Sequence, residues 1–178
     1  LTLIGAGGAC IDALSFFNAK NVMIFDDTKT GSVLGNPIIG TVDDLIKMRP
    51  EDDIYNCIGS VGDNTVRNRI YEKLAKAGIK TSPLIMSAFI AKNVIVGDNS
   101  LLNIGSQVHH DCVIGESCVI SPSVTICGNC KIGNNFFVGV STTVIQGITI
   151  GENSVIGAGS LILKDVPPNS KVYGIWKG

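Results

Sequence analysis

The chain has 178 residues, with 14 Lys and Arg against 15 Asp and Glu and a formal charge of -1. That balance leaves no electrostatic footprint for nucleic acid or an anionic membrane surface, and no apolar run approaches the ~18 residues of a membrane span. Six Cys without a secretory leader at Leu1–Gly5 point to reduced thiols in a cytoplasm rather than a disulfide scaffold.

Residues 1–82 alternate short apolar runs with helical segments. Leu1–Ile4 is a predicted strand and Gly5–Gly8 a tight turn. Ala9–Ala19 is a predicted helix, with Ile11, Leu14 and Phe17 on its apolar spacing. Val22–Phe25 is a second strand, closed by Asp26 and Asp27. Residues 28–41 form a loop with a short extended piece at Pro37–Ile39. Val42–Met48 is a short helix and Ile54–Ile58 a third strand. Asn64–Ala77 is a long helix with Val66, Ile70 and Leu74 on one face and Gly78 as its stop. Strands alternating with helices imply a parallel sheet with crossovers, an α/β Rossmann-like unit.

From residue 83 the pattern changes. A branched aliphatic recurs every six residues from Leu84 through Ile90, Val96, Leu102 and Val108 to Ile162. Small or medium residues recur four places after each aliphatic, among them Cys112, Cys118, Cys130 and Val166. Gly often follows the aliphatic directly, as at Gly97, Gly115 and Gly133. No helix has this period. A chain that turns a corner every six residues does, and three hexads then close one triangular coil: a parallel β-helix over 83–178. Aliphatics point into the prism, Gly is expected to supply positive φ at the corners, and the Pro167–Pro168 pair is expected to end the ladder. Outward Val113, Val119 and Val155 suggest side-by-side packing of chains.

The Gly5-Ala6-Gly7-Gly8 turn follows a strand and opens a helix, where backbone amides form an anion site. Cys10 stands where the dinucleotide fingerprint has its third glycine. Asp26 ends the second strand, where a carboxylate can hold sugar hydroxyls. Together these favour a nucleotide-linked ligand. The plainer alternative is a turn that needs Gly for packing, with Asp27 capping a loop.

His109 and His110 are the two histidines of the chain, and Asp111 follows. They fall at or near a corner, facing outward. An imidazole titrates near neutrality and can take a proton from an attacking amine or hydroxyl, while a neighbouring carboxylate orients the ring. Gly128 lies one coil above His110, and its N–H is a candidate donor to a thioester carbonyl. Cys127 and Cys130 make a single C-x-x-C with no second half-site, and three cysteines fall at the inward phase, so core packing is expected and no metal.

The segments IGAGG, FDD, IGSVGDNTVR, LNIGSQVHHDCVIG and VPPNSKVYGI together resemble the left-handed β-helix acetyltransferases. The similarity is to the sialic-acid O-acetyltransferase and UDP-4-amino-sugar N-acetyltransferase type. The resemblance implies acetyl-CoA as co-substrate in a groove between subunits of a homotrimer, and transfer to the amine of a nucleotide-linked amino sugar in bacterial glycan synthesis. O-acetylation of sialic acid, or sugar-nucleotide binding without catalysis, are the alternatives. Carried over residue by residue, it implies His110 as general base and Asp111 as its partner. Gly5, Gly7, Gly8, Asp26, Asp27, Gly59 and Asn103 fall at sugar-nucleotide positions. Val119, Gly128, Val140 and Ala158 fall at acetyl-CoA positions. Two departures stand out: Ala9 and Val119 occupy places where the group usually carries His.

Overall fold

The computed structural model describes residues 1–18, 22–58 and 64–178. Its first part has strands β1 (Thr2–Ile4), β2 (Met23–Phe25), β3 (Ser32–Val33), β4 (Asn36–Gly40) and β5 (Ile54–Asn56), with helices α1 (Gly8–Phe17), α2 (Val42–Met48) and α3 (Thr65–Lys76). The sheet order is β3-β4-β2-β1-β5. β1 pairs in parallel with both β2 and β5, and only the short β3 runs antiparallel, to β4. The chain therefore moves outward from β1 to β4 and returns on the other side of β1 to lay down β5. The reversal opens a crevice beyond the carboxyl ends of β1 and β5, the place where open α/β sheets hold ligands.

Two helix faces differ from the sequence expectation. α1 buries Cys10, Ala13 and Leu14 and leaves Ile11 exposed; α3 buries Arg67, Ile70 and Leu74 and leaves Val66 exposed. The inner stripe of each helix is offset from the branched aliphatics. Small Cys and Ala, and one buried Arg, carry positions that hydropathy alone assigns to larger apolar side chains.

From Leu84 the chain winds as a prism of two-residue strands on three faces. The first face carries Leu84–Ile85, Leu101–Leu102, Val119–Ile120, Phe137–Val138, Val155–Ile156 and Lys171–Val172. The second runs from Phe89–Ile90 through Gln107–Val108, Thr125–Ile126, Thr143–Val144 and Leu161–Ile162 to Ile175–Trp176. The third holds Ile95–Val96, Val113–Ile114, Lys131–Ile132 and Thr149–Ile150. Neighbouring rungs are parallel and stack like on like, Ile114 on Ile132 and Ile120 on Val138. The second residue of each rung points inward and joins one buried aliphatic column with Cys112, Cys118 and Cys130.

The hexad phase slips at both ends. Leu84 pairs with Leu101 and Ile85 with Leu102, so Ile85 takes the inward place expected of Leu84, and Leu84 turns to the front sheet. At the other end Val166 bridges to Ile150, an aliphatic rung position rather than the small-residue phase. Nor does the proline pair end the ladder. Lys171–Val172 pairs with Val155–Ile156 and Ile175–Trp176 with Leu161–Ile162, because the prolines sit on a corner that needs no ladder donor.

The glycines also work differently from the expectation. Positive φ recurs every sixth residue at Asn93, Asn99, Gly105, Asp111, Ser117, Ser123 and Asn129, mostly short polar side chains that tolerate this region. Gly97 and Gly133, directly after the aliphatics, have no positive φ. A Cβ on Gly97 would sit 2.6 Å from the Glu116 nitrogen, and one on Gly133 2.5 Å from the Glu152 nitrogen. These glycines leave room for the backbone of the next coil.

The front sheet lies on the first face. Leu3, Cys10 and Leu14 share one buried cluster with Leu84, Leu101, Val119 and Phe137. Val119 is 3% exposed and Val155 packs against the same cluster. Their outward phase is thus covered by the chain's own front part, which corrects the expectation of side-by-side packing at these two positions. α3 clamps the corner between the third and first faces: Asn64 donates to Ser117 O at 3.3 Å and Asn68 to Asn135 Oδ1 at 2.6 Å.

Candidate active site

A cavity of about 220 Å³ opens where the sheet order reverses, lined by Gly5, Gly7, Gly8, Ala9, Asp26, Asp27, Lys29, Ile58, Val66 and Arg69 among others. Gly5 has φ +91, and a Cβ there would meet Ile58 Cγ1 at 2.7 Å, so this position needs glycine on both counts. Gly7 and Gly8 have nothing within 4 Å of an added Cβ. Their lack of side chain serves open space above the α1 N-terminus, where no side chain caps the helix and the first amides face outward.

Asp26 holds the turn together. Its Oδ2 accepts from Ala6 N at 2.7 Å; its Oδ1 accepts from Thr28 N at 2.7 Å, Thr28 Oγ1 at 2.8 Å and Lys29 N at 2.7 Å. Burial pushes this carboxyl up, but the hydrogen bonds from Ala6, Thr28 and Lys29 outweigh it and hold it below the usual carboxylate range. Three acceptances crowd Oδ1 and one falls on Oδ2, so Asp26 shapes the pocket and keeps one acceptor site on Oδ2. Asp27 Oδ1 accepts from Val42 N at 2.9 Å, at the start of α2, in keeping with the capping alternative. Gly59 lies outside the described residues.

On the prism, His110 and Asp111 occupy the corner between the second and third faces. His110 Nδ1 lies 2.8 Å from Asp111 Oδ2. Asp111 Oδ1 accepts from Asn93 Nδ2 of the coil below at 2.8 Å. These two hydrogen bonds, Asn93 first and His110 second, hold the Asp111 carboxyl below its ordinary range. An ionised carboxylate only accepts, so Nδ1 is the donor of this pair, and in the neutral ring it is Nε2 that carries the lone pair. The His110 ring, 59% exposed, lies against Gly128 of the coil above, where a Cβ would be 2.7 Å from Nε2. The Gly128 N–H meets no acceptor among the described residues. His109 turns the other way, edge-on to Phe89 at 5.8 Å between centroids.

The remaining sequence-derived positions do not share this corner. Asn103, Val140 and Ala158 lie on the corner between the first and second faces, where Val140 and Ala158 are exposed. Val119 lies beneath the front sheet, away from any open edge. Within one chain, then, the structure joins His110, Asp111 and Gly128, joins the glycine turn with Asp26 and Asp27, and separates the two groups.

Comparison with known proteins follows this division. Residues 1–74 match the PglD N-terminal domain, and residues 90–128 and 129–164 match the bacterial transferase hexapeptide (six repeats). The acetyltransferase domain of PglB from Neisseria gonorrhoeae superposes with TM-score 0.82 at 28% identity, over 97% of this chain and 95% of that one. The chain belongs to the hexapeptide-repeat acetyltransferases of the left-handed β-helix class. Within this class, a histidine-to-asparagine variant of perosamine N-acetyltransferase from Caulobacter crescentus, in complex with CoA and GDP-perosamine, is 25% identical. It has TM-score 0.80, over 97% of this chain and 92% of that one. The PglB domain in complex with acetyl coenzyme A gives TM-score 0.82 at 29% identity, over 97% and 95% of the two chains. No curated protein matches significantly in sequence.

Sequence reasoning for this acetyltransferase missed the cations of the front pocket. Lys29 Nζ donates to Ala6 O at 3.0 Å. Arg69 lines the cavity, exposed and without a partner among the described residues. Nothing in a single basic residue on a helix signals this; only the position of α3 beside the glycine turn does. No described helix is long and apolar enough to cross a membrane.

Proposed function

We propose that this protein transfers an acetyl group from acetyl-CoA to the amine of a nucleotide-linked amino sugar. Residues 1–82 hold the nucleotide sugar and residues 83–178 carry out the transfer, in a cytoplasm that keeps its six cysteines free. The observation that carries the reading is the His110 ring, oriented through Nδ1 by Asp111 and packed on Gly128 at an exposed corner. The amine lone pair attacks the thioester carbon, and Nε2 of His110 accepts the amine proton. The Gly128 N–H donates to the oxygen as charge develops on it. Collapse breaks the C–S bond, and the CoA thiolate leaves and is protonated. No covalent enzyme intermediate is needed, and positioning supplies much of the rate.

Supporting the front assignment, unfilled amides at the α1 N-terminus, Lys29 and Arg69 together suit a diphosphate. The relatives crystallised with CoA and GDP-perosamine point to the same pair of substrates. The first face carries the front pocket's sheet, whereas His110 lies on the corner opposite that face. A sugar held by one chain therefore meets the His110 of another, which supports a homotrimer with shared sites.

The test is a thiol-release assay with acetyl-CoA across nucleotide-linked amino sugars and free sialic acid. Turnover on at least one amino-sugar nucleotide, lost in His110→Ala, is expected. Turnover on sialic acid alone would move the acceptor from amine to hydroxyl, and near-normal turnover by His110→Ala would remove His110 as base.

A further inference from the structure

Two buried thiols meet beneath the glycine turn. Cys10 lies in the first turn of α1, and Cys57 directly follows β5. Both belong to the buried cluster between the front sheet and the prism, and their side chains are joined by a thiol–thiol hydrogen bond. We propose that Cys10 and Cys57 form an oxidation site, which a small hydroperoxide converts reversibly to a disulfide that closes the front cavity to the nucleotide. The effect on the cavity rests on the nucleotide reading of that pocket; the disulfide does not.

The first argument is position. Cys10 occupies the place of the dinucleotide fingerprint's third glycine, where the helix presses closely on the sheet. A side chain there meets a neighbouring strand end, and the side chain it meets is Cys57. The Cys57 N–H donates to Ile4 O at 2.8 Å, and a Cβ added to Gly5 would stand 3.5 Å from the Cys57 carbonyl carbon. The pair thus joins the two elements that frame the turn. Cys57 also lines the front cavity. A peroxide-sized molecule in that cavity therefore stands beside thiols that are buried from bulk water.

The second argument is chemistry. The thiolate is the reacting form, and a helix N-terminus favours it. The hydrogen bond from Cys57 holds the Cys10 thiol below its ordinary range, with Lys29 assisting against burial and the Asp26 charge. The same bond, with burial, pushes Cys57 up, so the pair offers one thiolate and one proton donor. Cys112 and Cys130 of the prism differ: burial pushes both thiols up, Cys130 to about 11. The Cys10 thiolate attacks a peroxide oxygen, an S–O bond forms, the O–O bond breaks, and the leaving hydroxide is protonated to water. The Cys57 sulfur then displaces hydroxide from the Cys10 sulfenic acid. The S–S bond forms, the S–O bond breaks, and the Cys57 proton leaves with the hydroxide as a second water. The thiol pair is oxidised and the peroxide reduced. A covalent S–S bond is shorter than the contact it replaces, so it draws the α1 N-terminus toward the end of β5 and narrows the space above Gly7 and Gly8.

Wild type and Cys10→Ala are treated with hydrogen peroxide, alkylated and digested, and linked peptides are mapped by mass spectrometry. Isothermal titration with GDP and UDP follows on reduced, oxidised and dithiothreitol-treated protein. A peptide pair joined through Cys10 and Cys57 is expected in the wild type, absent from Cys10→Ala and lost on dithiothreitol. The nucleotide that the reduced wild type binds should lose about tenfold in affinity on oxidation and regain it on reduction, while Cys10→Ala binds alike before and after peroxide. If Cys10→Ala does not fold, the reversible crosslink and affinity change of the wild type decide alone. Peroxide that leaves both thiols free, or links other cysteines instead, overturns the site; a crosslink with unchanged affinity overturns the closure. A reduced wild type that binds neither nucleotide removes the front-pocket reading and the closure with it, while the mapped crosslink still decides the disulfide.

Discussion

The imidazole of His110 rests on the Cα of Gly128, one coil above, so closely that a Cβ at 128 would stand 2.7 Å from both Cε1 and Nε2. Gly128 has no positive φ, so its backbone accepts alanine, and the strain falls on the ring. Gly128→Ala is expected to fold with a melting temperature near that of the wild type while turnover falls by about 100-fold, the scale of a misplaced catalytic group. Parallel thermal melts and thiol-release rates decide it; unchanged turnover would show that the ring's seat is immaterial.

Asp111 combines two duties: it occupies a positive-φ corner (φ 58) and holds His110 Nδ1. Asparagine tolerates that backbone and alanine does not. Asp111→Asn should therefore melt close to the wild type and Asp111→Ala lower, while both lose activity. The carboxyl is held below its ordinary value by Asn93 and His110. Its stabilising contribution is thus fully present above the unfolded carboxylate range and is lost as pH falls through the depressed value. The melting difference between wild type and Asp111→Asn should shrink in acid, below about pH 4, and stay flat above; a difference that grows in acid would contradict the assigned geometry.

Arg67 is fully buried, with no carboxylate beside it among the described residues. Its guanidinium donates to Asn56 O at 2.6 Å, to Ile58 O at 2.9 Å, and through Nε and Nη2 to Asn99 O. Burial lowers its pKa to about 10, still protonated at neutral pH. One side chain thereby ties the end of β5 to a prism corner. Arg67→Met strands these carbonyls and is expected to cost about 3 kcal/mol or more. Denaturant unfolding should also split into two transitions, with the front part melting first. A single transition at wild-type stability would mean that the strut is dispensable.

The front pocket and His110 lie on opposite sides of the prism, so two inactive variants should complement each other. His110→Ala supplies a working front pocket and Arg69→Glu a working corner. Mixed assemblies refolded at equal ratio are expected to recover roughly a quarter of wild-type activity if assembly is random. No recovery, with mixed assembly demonstrated by mass spectrometry, would place the whole site within one chain.

The hexad period was enough to predict the coil, its inward aliphatic column and the stacking of His110 under Gly128, because a residue and its neighbour one coil away are fixed by local geometry repeated without insertion. Most of the strand and helix order of the front sheet was legible in short apolar runs and turn residues, but the antiparallel pair of β3 and β4 was read as a loop with an extended piece at Pro37–Ile39. Sequence did not show where a local rule yields to a long-range contact. Leu84 slips phase because the front sheet needs it more than the prism does. Val119 is outward by phase yet buried, because that sheet covers its face. Gly97 and Gly133 are glycine to admit another coil rather than to bend their own. The partition of the proposed site residues between two corners was likewise set only by the fold: the period says that a corner comes every six residues, but which corners the front part covers depends on side chains such as Arg67 and Asn64 meeting carbonyls far away in the chain.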